Sequence, residues 1–217
     1  MPQKDTRKTV CKTVCQYNRE PLSDTDMQKL TDIAGDYRTV KNYVYQRYSG
    51  IASLPKIYPG YTVQNEMTAS GLRGELGIPS VYFYLAVFDA LGDIKSQWTK
   101  TRAAVRKAVG QNDNFTGEEK HYLRFCLKAN DAFEGALMQK PPKDWSLPPE
   151  IRKRYEELSG RLGTNVPDKL LRYLCRKVRK YHVKPHSETA DGFFSSGGTH
   201  RYADHGIYIS TKQSRKR

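Results

Sequence analysis

Four cysteines and five histidines are the side chains in this sequence best suited to ligate a metal or act as nucleophiles. Two pairs have the spacing of ligands: Cys11 with Cys15, and His182 with His186, with Cys175 upstream of the second. A zinc ion needs its ligands to converge on one point. Pro185 interrupts the histidine pair. The cysteine pair falls in RKTVCKTVCQY (residues 7–17), whose alternation and Thr/Val content predict a strand. On a strand both thiols share a face but stand about 13 Å apart, so no metal is expected. The carboxylates do not converge as a two-metal nuclease requires. Asp24, Asp26, Glu118 and Glu119 suit helix starts, Glu156 and Glu157 suit helix surfaces, and Asp204 is isolated. There is no P-loop, no GxSxG and no dinucleotide fingerprint, and SSGG at 195–198 is too short for a phosphate loop. The expectation is a non-catalytic chain with no cofactor and no small-molecule substrate.

No CxxC pair occurs, and the first residues, MPQKDTRKTV, lack an apolar segment. These features predict reduced thiols and a cytoplasmic location. Charge points to a partner. Lys plus Arg number 37 against 23 Asp plus Glu, a net charge of +14. Residues 1–139 carry 19 basic and 15 acidic groups, whereas residues 140–217 carry 18 and 8. An excess so concentrated is the footprint of a polyanion. Because no long apolar run or strongly apolar face accompanies it, the sequence favours RNA or DNA over a membrane.

The elements that must position these groups are mostly helical. Met27, Leu30, Ile33, Ala34, Tyr37, Val40, Val44 and Tyr48 recur at helical spacing and predict a buried stripe over Ser23–Ser49. Arg38, Lys41, Asn42, Tyr45 and Arg47 then fall on accessible faces. Residues 50–60 read as a connection, followed by a short helix over Thr62–Ala69 and a broken segment. A long helix starts at Pro79 or Ser80 and ends at Gly110, with Val81, Tyr84, Leu85, Phe88, Leu91, Ile94, Trp98, Val105 and Val109 inward; Gly92 marks a potential break. Lys100, Arg102, Arg106 and Lys107 crowd its end, where the helix dipole also favours cations. Thr116-Gly-Glu-Glu119 is a capping box opening a helix to about Met138. After the proline-rich QKPPKDWSLPPE, a stiff joint, a short helix covers Ile151–Leu158. The next, KLLRYLCRKVRKY, turns Leu170, Leu171, Leu174, Cys175, Val178 and Tyr181 inward, with Arg172, Arg176, Lys177, Arg179 and Lys180 largely opposite. Five cations on so short a helix exceed what its C-terminal end requires, which favours phosphate contact. GFFSS and Ile207–Ile209 read as strands again.

The expected fold class is therefore α+β, predominantly α. Residues 1–19 and 185–217 would form a small antiparallel β module, with a helical domain (20–139) and a joint plus basic helix (140–184) inserted in it.

Three segments, IAGDYRTVKNYVYQRYSG, ELGIPSVYFYLAVFDALGDIKSQW and HRYADHGIYISTKQSRKR, resemble the N-terminal half of the TnpB (OrfB) family, transposon-encoded RNA-guided nucleases related to type V CRISPR effectors. That resemblance implies a wedge-and-recognition half that grips guide RNA and target DNA, while the nuclease core and zinc ribbon are absent and the missing half becomes a potential partner. It implies that Arg38, Lys41, Asn42 and Arg47 face nucleic acid beside the target duplex. Arg172, Arg176, Lys177, Arg179, Lys180, Arg201, Tyr202 and Arg215 would lie along guide or heteroduplex, reading backbone shape. Tyr45 and Tyr202 could stack on bases or simply pack. A stand-alone DNA-binding regulator, an enzyme of unrecognised type and an inactive transposase fragment remain alternatives.

Overall fold

Ser23 begins the first helix as its position predicts: its Oγ accepts a hydrogen bond from the Asp26 N–H at 3.1 Å, satisfying one of the donors that a helix start leaves free. The computed structural model describes residues 22–185. Over that span α1 is Asp24–Tyr48, followed by a 3-10 turn at Ile51–Ser53, then α2 Leu54–Ile57, α3 Tyr61–Ala69 and α4 Leu72–Leu76. The short α4 is bracketed by Gly71 (φ 77°) and Gly77 (φ 65°), left-handed conformations that only glycine adopts without strain. The long α5, Ser80–Gly110, passes through Gly92 unbroken.

Thr116 and Glu119 form the expected capping box at the start of α6, Gly117–Lys128. The single helix expected to reach Met138 is divided, because Ala129 is extended (φ −78°, ψ 118°) and α7, Asn130–Leu137, starts afresh. The break lets Phe133 meet the edge of Trp98, with ring centroids 6.0 Å apart. Gln139, left-handed at φ 57°, ends α7. Its N–H and that of Lys140 return to the carbonyls of Ala136 and Gly135 in a Schellman arrangement. A 3-10 turn, Pro142–Asp144, leads to α8, Pro149–Gly160, and α9, Val166–Tyr181.

Every regular element among the described residues is a helix, which corrects the expected α+β class: no antiparallel β module is present there. The physical reason is that helices satisfy their backbone bonds internally and offer a strand no edge to pair with. The segments read as strands, in residues 1–19 and 186–217, lie outside the described residues.

One apolar core joins all the longer helices. It runs from Val40 and Val44 through Ile94, Trp98 and Leu123 to Leu174 and Val178. Trp145 from the proline-rich stretch belongs to the same core. Its indole lies over Gly135, where any side chain would collide with it, and its Nε1 donates to the Lys140 carbonyl at 2.9 Å. The first half of α5 is turned relative to expectation. Phe83, Ala86, Val87 and Ala90 are buried, whereas Val81, Leu85 and Phe88 are 65, 49 and 47 % exposed. Small alanines on the buried side let the neighbouring backbone come close, which outweighs the larger residues' claim to that face.

Candidate nucleic-acid interface

The helix α9 is held by one face and presents the other. Leu170, Leu174, Cys175 and Val178 are buried, and the Cys175 thiol donates to the Ala136 carbonyl at 3.1 Å. Burial pushes that thiol's pKa up against the opposing pull of Arg179, so it is a packing group. Midway along it, Tyr173 meets Phe115 edge-on at 4.8 Å between centroids. Just past its end, the His182 ring stacks on Trp98 at 3.8 Å; its Nε2 lies 2.9 Å from the Ser49 carbonyl and its Nδ1 3.2 Å from Thr101 Oγ1. Burial lowers the His182 pKa, with Lys184 adding to the effect and the Ser49 bond opposing it. Because Phe115 follows α5 and Thr101 lies within it, α9 runs antiparallel to the last turns of α5.

Opposite this anchorage Arg172, Arg176, Arg179 and Lys180 are exposed, and Lys177 is half-buried. Ion pairs among the described residues lie on α1–α3 and α5, and none involves these five cations. Arg176 and Lys177 flank the Tyr173 ring at 5.8 and 5.3 Å. From Arg172 to Lys180 the row spans about 12 Å of helix axis. Arg106 and Lys107 are also exposed, on the stretch of α5 beside α9. Arg102 is not part of this surface. Its guanidinium lies 4.2 Å from the centre of the Phe133 ring and donates to Asn130 Oδ1 at 2.7 Å. Burial lowers its pKa, with Tyr58 opposing.

The α1 residues are arranged differently. Lys41 Nζ lies 2.6 Å from Asp89 Oδ2 and 3.1 Å from Asp93 Oδ2. Burial works against its charge, but the Asp89 hydrogen bond and the two carboxylate charges outweigh burial and raise its pKa. Tyr37 donates to Asp89 and Tyr45 to Asp93; burial first, then the carboxylates, raises both phenol pKa values. Tyr45 is only 4 % exposed, so the expectation that it occupies an accessible face is corrected, and no ring face is left for a base. These residues are rungs of a ladder between α1 and α5, which run the same way. Asn42 is half-buried and engaged. Arg38 is half-buried, with Nη1 enclosed and without a hydrogen-bond partner among the described residues. Arg47 is exposed, donating to the Tyr43 hydroxyl at 3.3 Å. Arg201, Tyr202 and Arg215 lie outside the described residues.

Arg172, Arg176, Lys177, Arg179 and Lys180 thus share α9, and Arg106 and Lys107 lie on α5, which packs against it, whereas Arg38, Lys41, Asn42 and Arg47 lie on α1. Sequence reasoning missed Asp89 and Asp93, although their four-residue spacing matches that of Tyr37, Lys41 and Tyr45. It also missed Tyr43, Lys56 and Glu66, which no local pattern connects. Among the described residues no group of three or more His, Cys, Asp or Glu is placed to hold a metal, and no helix is long and apolar enough to cross a membrane. Comparison with protein-family models, curated proteins and solved structures finds no match for this chain.

Proposed function

We propose that this protein binds the phosphate backbone of a nucleic acid along the outward face of α9, extended by Arg106 and Lys107 of α5. One observation carries this reading: a row of exposed cations without carboxylate partners among the described residues, on a helix anchored at its middle and just past its C-terminal end. Unneutralised cations on a rigid element keep their repulsion until a polyanion relieves it, and a surface cation meant only for solubility is normally interspersed with acidic groups. Arginine dominates the row, and its planar fork suits phosphate oxygens. Such contacts position a backbone and carry no base information.

The test is a binding panel. Fluorescence anisotropy with labelled duplexes of unrelated sequence, and with structured RNA of equal length, reads affinity for the full chain and for the Arg172→Ala/Arg176→Ala/Arg179→Ala variant. The reading expects measurable wild-type affinity for every polymer and a similar fractional loss on each in the variant. Equal affinities of wild type and variant overturn it. Loss confined to one duplex sequence replaces it with a sequence-reading regulator. A preference for structured RNA supports the narrower guide-binding role that the TnpB resemblance implies.

A further inference from the structure

Between the C-terminal end of α1 and the short helices α2 and α3 lies a groove of about 530 Å³, whose walls include Tyr43, Arg47, Tyr48, Lys56, Glu66 and Ser70. Small-ligand sites run from about 300 to 1,000 Å³. One wall carries a ring and a guanidinium side by side: the Arg47 guanidinium lies 5.9 Å from the Tyr43 ring centre and bonds its hydroxyl. Facing the groove is a carboxylate held in place. Glu66 Oε1 accepts from Lys56 Nζ at 2.7 Å and Oε2 accepts from the Tyr48 hydroxyl at 2.8 Å. The Lys56 bond, and after it the Tyr48 bond, lower its pKa, so it is an acceptor-only group at neutral pH. A carboxylate has about four lone-pair sites; two are used, leaving one direction on each oxygen.

We infer that this groove binds a single unpaired guanine base, stacked on the Tyr43–Arg47 pair and held by its Watson–Crick edge on Glu66. Guanine presents adjacent imino and amino N–H donors on that edge, which match the two vacant acceptor directions. Adenine and cytosine present one amino group beside an acceptor nitrogen that the carboxylate repels. Uracil presents one imino group flanked by carbonyls. Stacking on tyrosine or arginine accepts any base, so Glu66 supplies the choice. The site shares no residue with the face of α9 and does not depend on how that face is read.

Equilibrium dialysis of the full chain against GMP, IMP, AMP and UMP tests it, because every mononucleotide carries the same phosphate and only the base differs. GMP should bind roughly tenfold more tightly than AMP or UMP, the effect of one well-made hydrogen bond to a charged group. IMP, which lacks the amino group, should fall between. Glu66→Gln should abolish the GMP preference and tighten AMP, because the amide offers one acceptor and one donor to adenine's amino group and ring nitrogen, and Tyr43→Leu should weaken all four alike. Equal affinities across the four in the wild type, or no saturable GMP binding in the millimolar range, overturn the inference without recourse to any variant.

Discussion

Arg102 separates a cation proposed to bind from a cation that builds. Sequence position groups it with Arg106 and Lys107, yet its guanidinium sits over Phe133 at 4.2 Å and bonds Asn130 at 2.7 Å. The ring contact, partly buried, contributes about 1–2 kcal/mol, and the charged hydrogen bond roughly 1.5–3 kcal/mol. Against these, Nε is enclosed without a partner among the described residues, which offsets about 1–3 kcal/mol. Arg102→Ala should therefore cost a net of about 1–2 kcal/mol, lowering Tm by about 2–8 °C in a chain of this size. Arg102→Met, keeping the stem packed, should lose less. Exposed Arg106→Ala should leave stability within about 0.5 kcal/mol but weaken nucleic-acid binding. Thermal melts by far-UV circular dichroism, paired with anisotropy on a labelled duplex, read both quantities on the same samples. If Arg102→Ala melts with the wild type and loses as much affinity as Arg106→Ala, the assignment of Arg102 to the core is refuted.

Other consequences concern how α9 and its supports are fastened. His182 has a lowered folded pKa, so the unfolded state takes up more protons as pH falls from about 6.5; stability present above that pH should be lost as pH falls through the folded value. His182→Phe, which retains the stack on Trp98, should flatten that part of a Tm-versus-pH curve. Gly135→Ala drives a methyl into the Trp145 indole; the displaced ring should cost about 1–3 kcal/mol and raise the exposure of Trp145 to fluorescence quenchers. Gln139→Gly relieves a left-handed residue at the end of α7, and a Tm increase corresponding to about 1 kcal/mol should appear in the same melts.

Much of the helical layout is legible because strong local signals agree with the packing. Ser23, the Thr116–Glu119 box and Gly110 mark boundaries that backbone chemistry enforces, and the apolar spacing from Leu170 to Val178 assigns the faces of α9. Tertiary packing overrode local pattern elsewhere. Val81, Leu85 and Phe88 keep helical spacing but lose the buried side to Ala86 and Ala90, since size ranks hydrophobic residues while close approach favours small ones. Ala129 breaks a helix with no glycine or proline to announce it. The cations on α9 were identifiable because they oppose a clear apolar stripe. Lys41 and Arg102 were not distinguishable from them, because Asp89, Asp93 and Phe133 lie 31 or more positions away. The groove around Glu66 had no local signature.

The salt dependence of binding tests the central claim most directly. Six exposed cations on phosphates, Arg172, Arg176, Arg179 and Lys180 of α9 with Arg106 and Lys107 of α5, release about as many counterions, giving a slope of log K against log salt of about −5.4 for duplex DNA. Affinity should fall roughly 1,000-fold between about 50 and 200 mM salt, and removing Arg172, Arg176 and Arg179 should flatten the slope towards about −2.7. A wild-type affinity unchanged across that range, or a slope that the three substitutions leave intact, contradicts the account.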